Sequence, residues 1–335
     1  MKLVKKSWLP AVCILALYCG LLSAGTLTER ADFKQFVQEM VERHNFDSRS
    51  LTKLFDQVTL RQEVIDAISQ PAESKPWYQY RPIFVNNQRI KGGVEFWNEN
   101  AEFLDRAETV YGVPPEIVTA IIGVETRYGS RIGRHRVMDS LATLAFDYPP
   151  RSKFFRQELE QFLLLAREED ADPLSIKGSY AGAMGQSQFI ASSYRHYAVD
   201  FNGDGKRDLW NSTADAIGSV ANYFKEHGWR TGQLIASPAH LTGEAYKEVV
   251  AQGIKPQLSI KELQNRGIVA EDEIPENEPA AVIELENKKN AEYWIGLNNF
   301  YVITRYNHSE LYAMAVYQLS REIRAQRSLA MKSRL

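Results

Sequence analysis

The sequence predicts a mainly helical protein of the α+β class, with one small β-containing domain inserted late in the chain. Apolar residues recur at helical spacing in most segments up to His227. From Gly232 to Glu286 the segments become short and are interrupted by glycine and proline, which is typical of strands and turns. Helical periodicity returns from Ser309 to Met331. With 335 residues, of which 44% are hydrophobic, the chain can form two or three domains.

The first 25 residues have the pattern of a signal peptide. Lys2, Lys5 and Lys6 precede an apolar run from Trp8 to Leu22, and the small residues 23–25 follow it. The apolar run is short for a helix that spans a membrane. We therefore expect cleavage close to residue 25 and a mature protein in the bacterial periplasm.

Both cysteines of the chain, Cys13 and Cys19, lie inside this segment. A mature chain without them has no disulfide that could stabilise the fold. Cys19 and Gly20 also resemble the lipidation site of a bacterial lipoprotein signal, which would anchor the protein to the outer membrane. Tyr18 is bulky where such signals carry a small residue, and the sequence leaves lipidation open as the alternative to simple cleavage.

An N-terminal helical domain is predicted over residues 26–110. Helical patterns cover Leu27–Ser69, and a further long helical pattern runs from about Gly93 to Tyr111 and ends at a glycine. Residues 70–90, between these patterns, are rich in proline and aromatic side chains. We interpret them as an extended connector.

The next domain, over residues 111–231, contains the most informative carboxylate of the chain, Glu125. Two prolines open a helix whose apolar residues continue as far as Val124, so Glu125 lies near the helix C-terminus among apolar neighbours. Desolvation and the partial negative charge of the helix end both favour the protonated form, so we expect a raised pKa for Glu125. A protonated carboxyl suits general-acid cleavage of a glycosidic bond. The alternative is an ion pair with Arg127 or Arg131.

A glycine-rich segment, residues 175–191, follows two further helical patterns. Glycine lets a backbone approach a ligand closely. Ser179, Gln186 and Gln188 add neutral hydrogen-bonding groups to this segment. It is a candidate ligand-binding loop, and the alternative is a flexible loop that links two helices.

An acidic loop, residues 200–208, matches the beginning of an EF-hand calcium loop. Oxygen donors stand at positions 1, 3, 5 and 9, and glycine stands at position 6. Position 12 is Asn211 instead of glutamate, so Asp215 is the candidate that closes the site. We expect a structural calcium ion, with a solvated turn as the alternative, and no organic cofactor. The candidate ligands are Asp200, Asn202, Asp204, Lys206 through its carbonyl, Asp208 and Asp215.

A cluster of tyrosines precedes the last helix, after the β-containing domain predicted over residues 232–295. Tyr301, Tyr306 and Tyr312 stand close to Asn307 in the segment that returns to the core, residues 296–335. Phenol and amide groups are good partners for sugar hydroxyl and acetamido groups. The alternative is an aromatic core strand that joins a helix.

The overall charge is close to balanced. The chain has 40 Lys and Arg against 42 Asp and Glu, a formal net charge of −2. No basic face follows from these totals, which argues against a nucleic-acid partner.

Six sequence blocks occur in the order found in the lytic murein transglycosylase B family, which the chain resembles. They are residues 123–129, 142–149, 177–185, 200–205, 217–224 and 303–309. The resemblance covers roughly Tyr80 to Leu319, most of the mature chain. Several motifs in one order are far more specific than any single motif.

The resemblance implies a lysozyme-like helical core, flanked by a helical domain and a small β domain, with calcium in the EF-hand-like loop. It implies cleavage of the bond between N-acetylmuramic acid and N-acetylglucosamine in peptidoglycan, without hydrolysis and with formation of a 1,6-anhydro sugar. Glu125 matches the family's single catalytic acid/base. The implied substrate-binding residues are Ser179, Gln188, Tyr80, Tyr223, Tyr306, Tyr312 and Asn307.

Two departures from the family pattern affect the site. Phe154 stands where a tyrosine of the cleft is expected, and the calcium loop has one extra residue before Asp215. The expected partner is the glycan strand of peptidoglycan, and we expect a monomer. The alternatives are a hydrolytic muramidase on the same fold, which leaves reducing instead of anhydro ends, and a catalytically silent peptidoglycan-binding protein. Glu125 together with Ser179 and Gln188 argues against the silent protein.

Overall fold

The computed structural model describes residues 26–69 and 75–332. The predicted signal peptide and both cysteines lie outside the described residues. The chain divides into two compact units between Gln57 and Val58. Among the described residues no helix is both long and apolar enough to cross a membrane.

The described part of the chain contains fifteen α-helices and seven short strands. The helices are α1 (Ala31–His44), α2 (Ser48–Phe55), α3 (Gln62–Ile68), α4 (Trp77–Phe84), α5 (Asn87–Glu99), α6 (Ala101–Tyr111), α7 (Pro115–Thr126), α8 (Val137–Asp147), α9 (Ser152–Glu168), α10 (Ala191–Tyr197), α11 (Thr213–Glu226), α12 (Tyr246–Val250), α13 (Ile260–Gln264), α14 (Asn298–Tyr306) and α15 (Glu310–Lys332). The strands are β1 (His135–Arg136), β2 (Lys177–Gly178), β3 (Ala236–Leu241), β4 (Leu258–Ser259), β5 (Ile268–Ala270), β6 (Pro279–Glu286) and β7 (Ala291–Gly296).

The first unit is a small helical pair formed by α1 and α2. Phe33 and Phe55 pack edge to face with ring centroids 4.8 Å apart, a favourable aromatic geometry. The Asp47 side chain caps α2 by accepting the Ser50 amide at 2.8 Å. Hydrogen bonds from the side chain and from the backbone of Ser50 lower the pKa of Asp47.

The second unit is built around α7, which is buried on nearly all sides. Helices α5, α6, α11 and α15 pack against it. Ten of its twelve residues are buried, and the two that are not are Glu116 and Glu125. A helix that is apolar all round belongs inside a core, so the two carboxylates are the exceptions that reach its edge.

A five-stranded antiparallel sheet lies in the second unit, with strand order β4-β6-β7-β3-β5. Ile283 pairs with Trp294 in the long β6–β7 hairpin. Helices α12 and α13 cover one face of this sheet. The hydrophobic core between the sheet and these helices contains Val249, Ile260, Leu263, Ile268, Ala280, Val282, Ile295 and Leu297. The predicted return of helical structure after this sheet is confirmed, since α15 covers residues 310–332.

The predicted extended connector over residues 70–90 is wrong for its described part. Residues 77–84 form α4, which buries Trp77 and Tyr80 one turn apart. Pro82 lies inside this helix, and a proline there favours the extended interpretation because it removes an amide donor. The helix ends two residues later, so the cost of that proline is confined to its last turn.

The single long helix predicted from Gly93 to Tyr111 is also wrong. Two helices, α5 and α6, meet at Asn100, which ends the first and begins the second. The Asn100 side-chain amide donates to the Phe96 carbonyl at 2.9 Å. Asparagine competes in this way with the helical backbone, which breaks the helix. The domain boundaries at residues 110, 231 and 295 stay a prediction.

Candidate active site

Helix α7 places Glu125 in its last turn. Pro115 occupies the first helical position, where its missing amide costs nothing, and the helix ends at Thr126. Glu125 is partly exposed, whereas its neighbours Val124 and Thr126 are buried. The position predicted from the sequence, near a helix C-terminus with apolar neighbours, is therefore the position observed.

The chain leaves α7 through two successive left-handed residues, Arg127 (φ 51°) and Tyr128 (φ 58°). The Tyr128 ring then lies between two helices against three glycines. A Cβ atom at Gly92, Gly93 or Gly123 would lie 2.9, 2.7 or 2.6 Å from an atom of Tyr128. Only glycine leaves room for the ring, which fixes the turn directly after Glu125.

Thr126 joins the end of α7 to the glycine-rich loop. Its hydroxyl donates to the Gln186 carbonyl at 3.0 Å and accepts the Gly129 amide at 3.0 Å. Gln188 has a left-handed backbone (φ 50°), and its side-chain amide donates to the carbonyl of Ile132 at 3.2 Å. The loop over residues 185–189 is therefore held beside the helix end that carries Glu125.

Tyr312 contacts Glu125 directly. Its hydroxyl donates to Glu125 Oε1 at 2.5 Å, although 187 positions separate the two residues in the sequence. The Tyr306 ring is parallel to the Tyr312 ring within 7°, with centroids 6.5 Å apart, and its hydroxyl donates to the Ser187 carbonyl at 2.5 Å. Helices α7 and α15 thus meet at the Glu125 carboxylate, and Tyr306 joins α14 to the glycine-rich loop and to the Tyr312 ring.

Both tyrosines remain neutral donors. Burial raises the pKa of Tyr312 well above its usual value, and the negative charge of Glu125 raises it further. Burial and the charge of Glu125 also raise the pKa of Tyr306 well above its usual value. A phenol with a raised pKa keeps its proton, so each hydroxyl can hold its acceptor without losing the proton to it.

Ser179 shapes the glycine-rich loop from within. Its hydroxyl oxygen accepts the amides of Ala181 at 3.3 Å and Ala183 at 3.0 Å, just after β2. Strand β2 pairs with β1, which places Gly178 opposite His135. Because the oxygen accepts two bonds, the hydroxyl proton is directed away from these amides, as a ligand-binding hydroxyl requires.

Three of the predicted substrate residues are buried: Tyr312, which contacts Glu125, and also Tyr80 and Tyr223. The Tyr80 side chain is 1% exposed and packs against Trp77 and Phe84. Tyr223 is also buried; its hydroxyl donates to the Arg305 carbonyl at 2.6 Å, and its ring lies 4.9 Å from that of Tyr306. The Tyr223 ring therefore packs against Tyr306, and contact of Tyr80 or Tyr223 with substrate stays a prediction.

The remaining predicted positions lie at the border of this cluster. Asn307 ends α14 and is partly exposed between Tyr306 and Tyr312. Phe154, at the expected tyrosine position, lies under the guanidinium of Arg151, 4.5 Å from its ring centroid. Phe154 has no hydroxyl, so the hydrogen bond that the expected tyrosine could make is missing at this position.

The acidic loop is folded around its own carboxylates. Asp200 accepts the amides of Gly203, Asp204 and Gly205 at 2.7, 3.1 and 2.7 Å. Asp215 is fully buried and accepts three amides, two of them from residues 201 and 202 and one from Asp208. These bonds tie both ends of the loop to the first turn of α11.

The donor chemistry of this loop fits calcium, because every candidate ligand offers oxygen. In the described residues, however, no group of three or more His, Cys, Asp or Glu side chains is arranged to hold a metal ion. Asp200, Asn202 and Asp204 are at least partly exposed, whereas Asp215 is buried, and Asp200 and Asp215 each accept three backbone amides. The role of Asp215 as the last ligand stays a prediction.

Three residues of the site were not predicted from the sequence: Arg89, Tyr128 and Ser187. Arg89 donates to the carbonyls of Gly123 and Val124, directly before Glu125. Tyr128 belongs to the same motif as Glu125, so its proximity was a usable signal. Arg89 stands 34 positions before the carbonyl that it contacts, and no local pattern connects the two.

The comparisons with known proteins agree on one family. The model of the transglycosylase SLT domain matches residues 28–321. A relative in Escherichia coli K12, membrane-bound lytic murein transglycosylase B, is 44% identical over 309 residues, which is 89% of this chain and 84% of the relative.

Solved structures share this fold. The catenated lytic transglycosylase SltB1 from Pseudomonas aeruginosa is 52% identical, with a TM-score of 0.85 over 90% of this chain and 99% of its own. The Escherichia coli lytic transglycosylase Slt35 in complex with calcium is 44% identical, with a TM-score of 0.79 over 88% and 93%. SltB3 from Pseudomonas aeruginosa in complex with NAG-anhNAM-pentapeptide is 32% identical, with a TM-score of 0.77 over 90% and 80%.

Proposed function

Because the chain belongs to the transglycosylase SLT domain family, whose relatives are lytic murein transglycosylases acting on peptidoglycan, we propose that Glu125 is its single catalytic acid/base. The observation that carries the proposal is the contact between Glu125 Oε1 and the Tyr312 hydroxyl at 2.5 Å. This bond fixes the carboxyl of the one glutamate that reaches the edge of α7 beside the glycine-rich loop. The predicted mainly helical, lysozyme-like fold and the enzymatic class are both confirmed by the family match.

The first step is protonation of the leaving group. Glu125 donates its proton to O4 of N-acetylglucosamine as the bond from this oxygen to C1 of N-acetylmuramic acid breaks. The positive charge that develops at C1 is relieved by the carbonyl oxygen of the substrate's own N-acetyl group, which replaces the second carboxylate of ordinary glycosidases. Tyr312 stabilises the new glutamate, because a hydrogen bond strengthens when its acceptor becomes charged.

The second step closes the 1,6-anhydro ring. The ionised Glu125 takes the proton of the 6-hydroxyl of N-acetylmuramic acid. The oxygen of this hydroxyl attacks C1 and displaces the acetamido oxygen. The carboxyl returns to its starting protonation state, so one residue serves both steps. The 6-hydroxyl attacks C1 before a water molecule can do so, because it is already attached to the reacting sugar. The anhydro product is supported by the ligand of SltB3, which contains an anhydro-muramic acid unit.

We assign the glycan strand to the tyrosine pair and the glycine-rich loop. Tyr306, Tyr312 and Asn307 offer phenol and amide groups on one side of Glu125, and Ser179 and Gln188 offer neutral polar groups on the loop side. Tyr223 packs against the Tyr306 ring, and Tyr80 is a further aromatic residue that we assign to this ligand. The pentapeptide complex of SltB3 supports peptidoglycan strands with peptide stems as the ligand class.

We further propose a structural calcium ion in the acidic loop. Asp200, Asn202, Asp204, Asp208, Asp215 and the carbonyl of Lys206 would hold it. The ion would fix the loop that begins α11 and take no part in bond cleavage. The calcium complex of Slt35 supports this assignment. For location we propose the periplasm, with a lipid anchor at Cys19 as the variant form, and for assembly we propose a monomer.

The decisive experiment compares two glutamates of the same helix. Glu125→Gln keeps the shape of the side chain but can neither donate nor accept the catalytic proton, so we expect loss of about 100- to 10,000-fold in rate or more. Glu116→Gln is the matched control, because Glu116 is the other partly exposed acid of α7 and pairs with Arg324 at 3.0 Å. Purified peptidoglycan sacculi are the substrate, and mass analysis of released muropeptides is the assay.

Two variants of the glycine-rich loop show how much positioning contributes to the rate. Ser179→Ala and Gln188→Ala should lower the rate less than Glu125→Gln, because each removes positioning instead of the proton. Circular dichroism controls for folding. Release of 1,6-anhydro muropeptides at the wild-type rate by folded Glu125→Gln would refute the catalytic assignment, and release of reducing ends by the wild type would identify a hydrolytic muramidase instead.

A further inference from the structure

A buried arginine lies behind the catalytic carboxylate. Arg89, in the first turn of α5, is only 8% exposed. Its Nη1 donates to the carbonyl of Gly123 and, at 3.4 Å, to that of Val124. These are the two residues that precede Glu125, and their carbonyls belong to the last turn of α7, where the Gly123 carbonyl also accepts the Arg127 amide at 3.1 Å.

Three neighbours hold Arg89 in this place. The side chain of Asn86 accepts the Arg89 amide at 3.1 Å and begins α5. The hydroxyl of Tyr128 donates to the Arg89 carbonyl at 2.6 Å, and the Phe84 ring lies 5.2 Å from the guanidinium carbon. Because Tyr128 itself follows Glu125 by three residues, Arg89 and the end of α7 hold each other in a closed set of contacts.

The guanidinium keeps its charge although it is buried. Burial lowers the pKa of Arg89, and the charges of Arg127 and Arg131 lower it further, whereas the negative charge of Glu125 raises it. An arginine remains protonated under all these influences. Burying a charge is costly unless the surroundings stabilise it, and here the partial negative charge of the α7 C-terminus does so.

We propose that Arg89 is a positioning residue for Glu125, which it serves by fixing the last turn of α7 and by supplying a permanent positive charge behind the carboxyl. This inference rests on the catalytic role proposed for Glu125. A positive charge there stabilises the glutamate that forms when the leaving group is protonated. The interaction is reciprocal: if the charge of Glu125 favours protonated Arg89, the charge of Arg89 equally favours ionised Glu125.

Other titratable groups also act around Glu125, and the test must separate them from Arg89. Helices α14 and α15 supply two phenols that stay neutral, and α4 supplies one more. The turn after α7 supplies a fourth phenol and two further guanidinium groups. These groups are Tyr306, Tyr312, Tyr80, Tyr128, Arg127 and Arg131. None of them donates to the carbonyls of Gly123 or Val124 through a side chain that is both buried and charged, as Arg89 does.

Two substitutions divide the roles of Arg89. Arg89→Gln keeps an amide donor for the α7 carbonyls but removes the charge. Arg89→Lys keeps the charge but loses the planar guanidinium, whose Nη1 donates to both carbonyls. Both should lower kcat. The rate falls at alkaline pH because Glu125 must begin protonated, so loss of the positive charge should move the alkaline limb of the kcat profile upward in Arg89→Gln, by roughly one pH unit. Arg89→Lys should keep the wild-type limb.

Arg324→Met is the matched control. Arg324 pairs with Glu116 at the other end of α7, at 3.0 Å, and is largely exposed. Its removal tests the effect of losing one arginine that contacts the same helix. We expect neither a lower kcat nor a displaced pH limb for Arg324→Met on peptidoglycan sacculi.

Equal loss of activity in Arg89→Gln and Arg89→Lys with an unmoved alkaline limb in both would overturn the proposal and leave Arg89 a purely structural residue. If Arg89→Gln does not fold, Arg89→Lys alone decides, since a displaced limb in that charged variant contradicts the proposed role of the charge. The Glu125→Gln experiment separates the two levels. If Glu125→Gln is active, the catalytic proposal itself is refuted. If Glu125→Gln is inactive and the alkaline limb of both Arg89 variants stays at the wild-type pH, only the proposed role of Arg89 is refuted.

Discussion

The hydroxyl of Tyr312 offers the most direct test of how the site works. Tyr312→Phe removes the donor that lies 2.5 Å from Glu125 Oε1 and keeps the ring that is parallel to Tyr306. A hydrogen bond to a charged group is worth about 1.5–3 kcal/mol. The bond gains this strength only as Glu125 becomes ionised, so its loss raises the barrier of the first step more than it weakens substrate binding.

The expected effect is a fall in kcat of about 10- to 150-fold, because each 1.36 kcal/mol of barrier changes the rate about tenfold. KM should change little. The assay is the rate of muropeptide release from sacculi over a range of substrate concentrations. Burial and the charge of Glu125 hold the pKa of Tyr312 well above its usual value, so the effect should persist across neutral pH.

Tyr317→Phe is the control on the same helix. The Tyr317 hydroxyl donates to the Ala236 carbonyl at 2.9 Å, a neutral acceptor in the β3 strand. Its removal should cost about 0.5–1.5 kcal/mol of unfolding free energy and leave kcat unchanged. If Tyr312→Phe is as active as Tyr317→Phe, the contact with Glu125 contributes nothing to the reaction and the reasoning above fails.

Three further predictions concern the loop, the turn after α7 and the N-terminus. Calcium should raise the melting temperature of the wild type by binding the folded state, and Asp204→Ala should abolish that rise; identical melting curves with calcium and with a chelator would exclude the ion. Gly123→Ala places a Cβ 2.6 Å from the Tyr128 ring, and urea unfolding should show a loss of about 1–3 kcal/mol. A variant as stable as the wild type would contradict the tight packing of this ring. Sequencing of the mature protein should begin near Gly25 or Thr26 or find a lipidated Cys19, and full-length protein confined to the cytoplasm would contradict both.

Periodicity predicted the elements whose reasons are local. The apolar run before Glu125 became α7, the pattern from Ser309 became α15, and the glycine and proline punctuation after Gly232 became a small sheet. In each case burial of one face, or of the whole helix, is encoded by neighbouring residues. The same rules misread residues 77–84, where tertiary packing of two aromatic side chains outweighs a proline.

Local sequence patterns could not predict contacts between segments that are distant in the sequence. Glu125 was identified as the central carboxylate, but nothing in its own segment indicates that Tyr312 donates to it. Arg89 was not predicted either, because an arginine among polar residues is usually solvated. Its burial follows only from the packing of α5 against α7, which places the side chain on the carbonyls of the helix end.

The split of the active site between α7 and α15 has a consequence for biosynthesis. Glu125 and its Tyr312 partner are separated by 187 positions, and the helix that contributes Tyr312 is the last one described. An incomplete chain that already contains the whole α7 helix therefore still lacks the group that orients its carboxyl. We therefore expect the full rate only when the last described helix has been made and has docked.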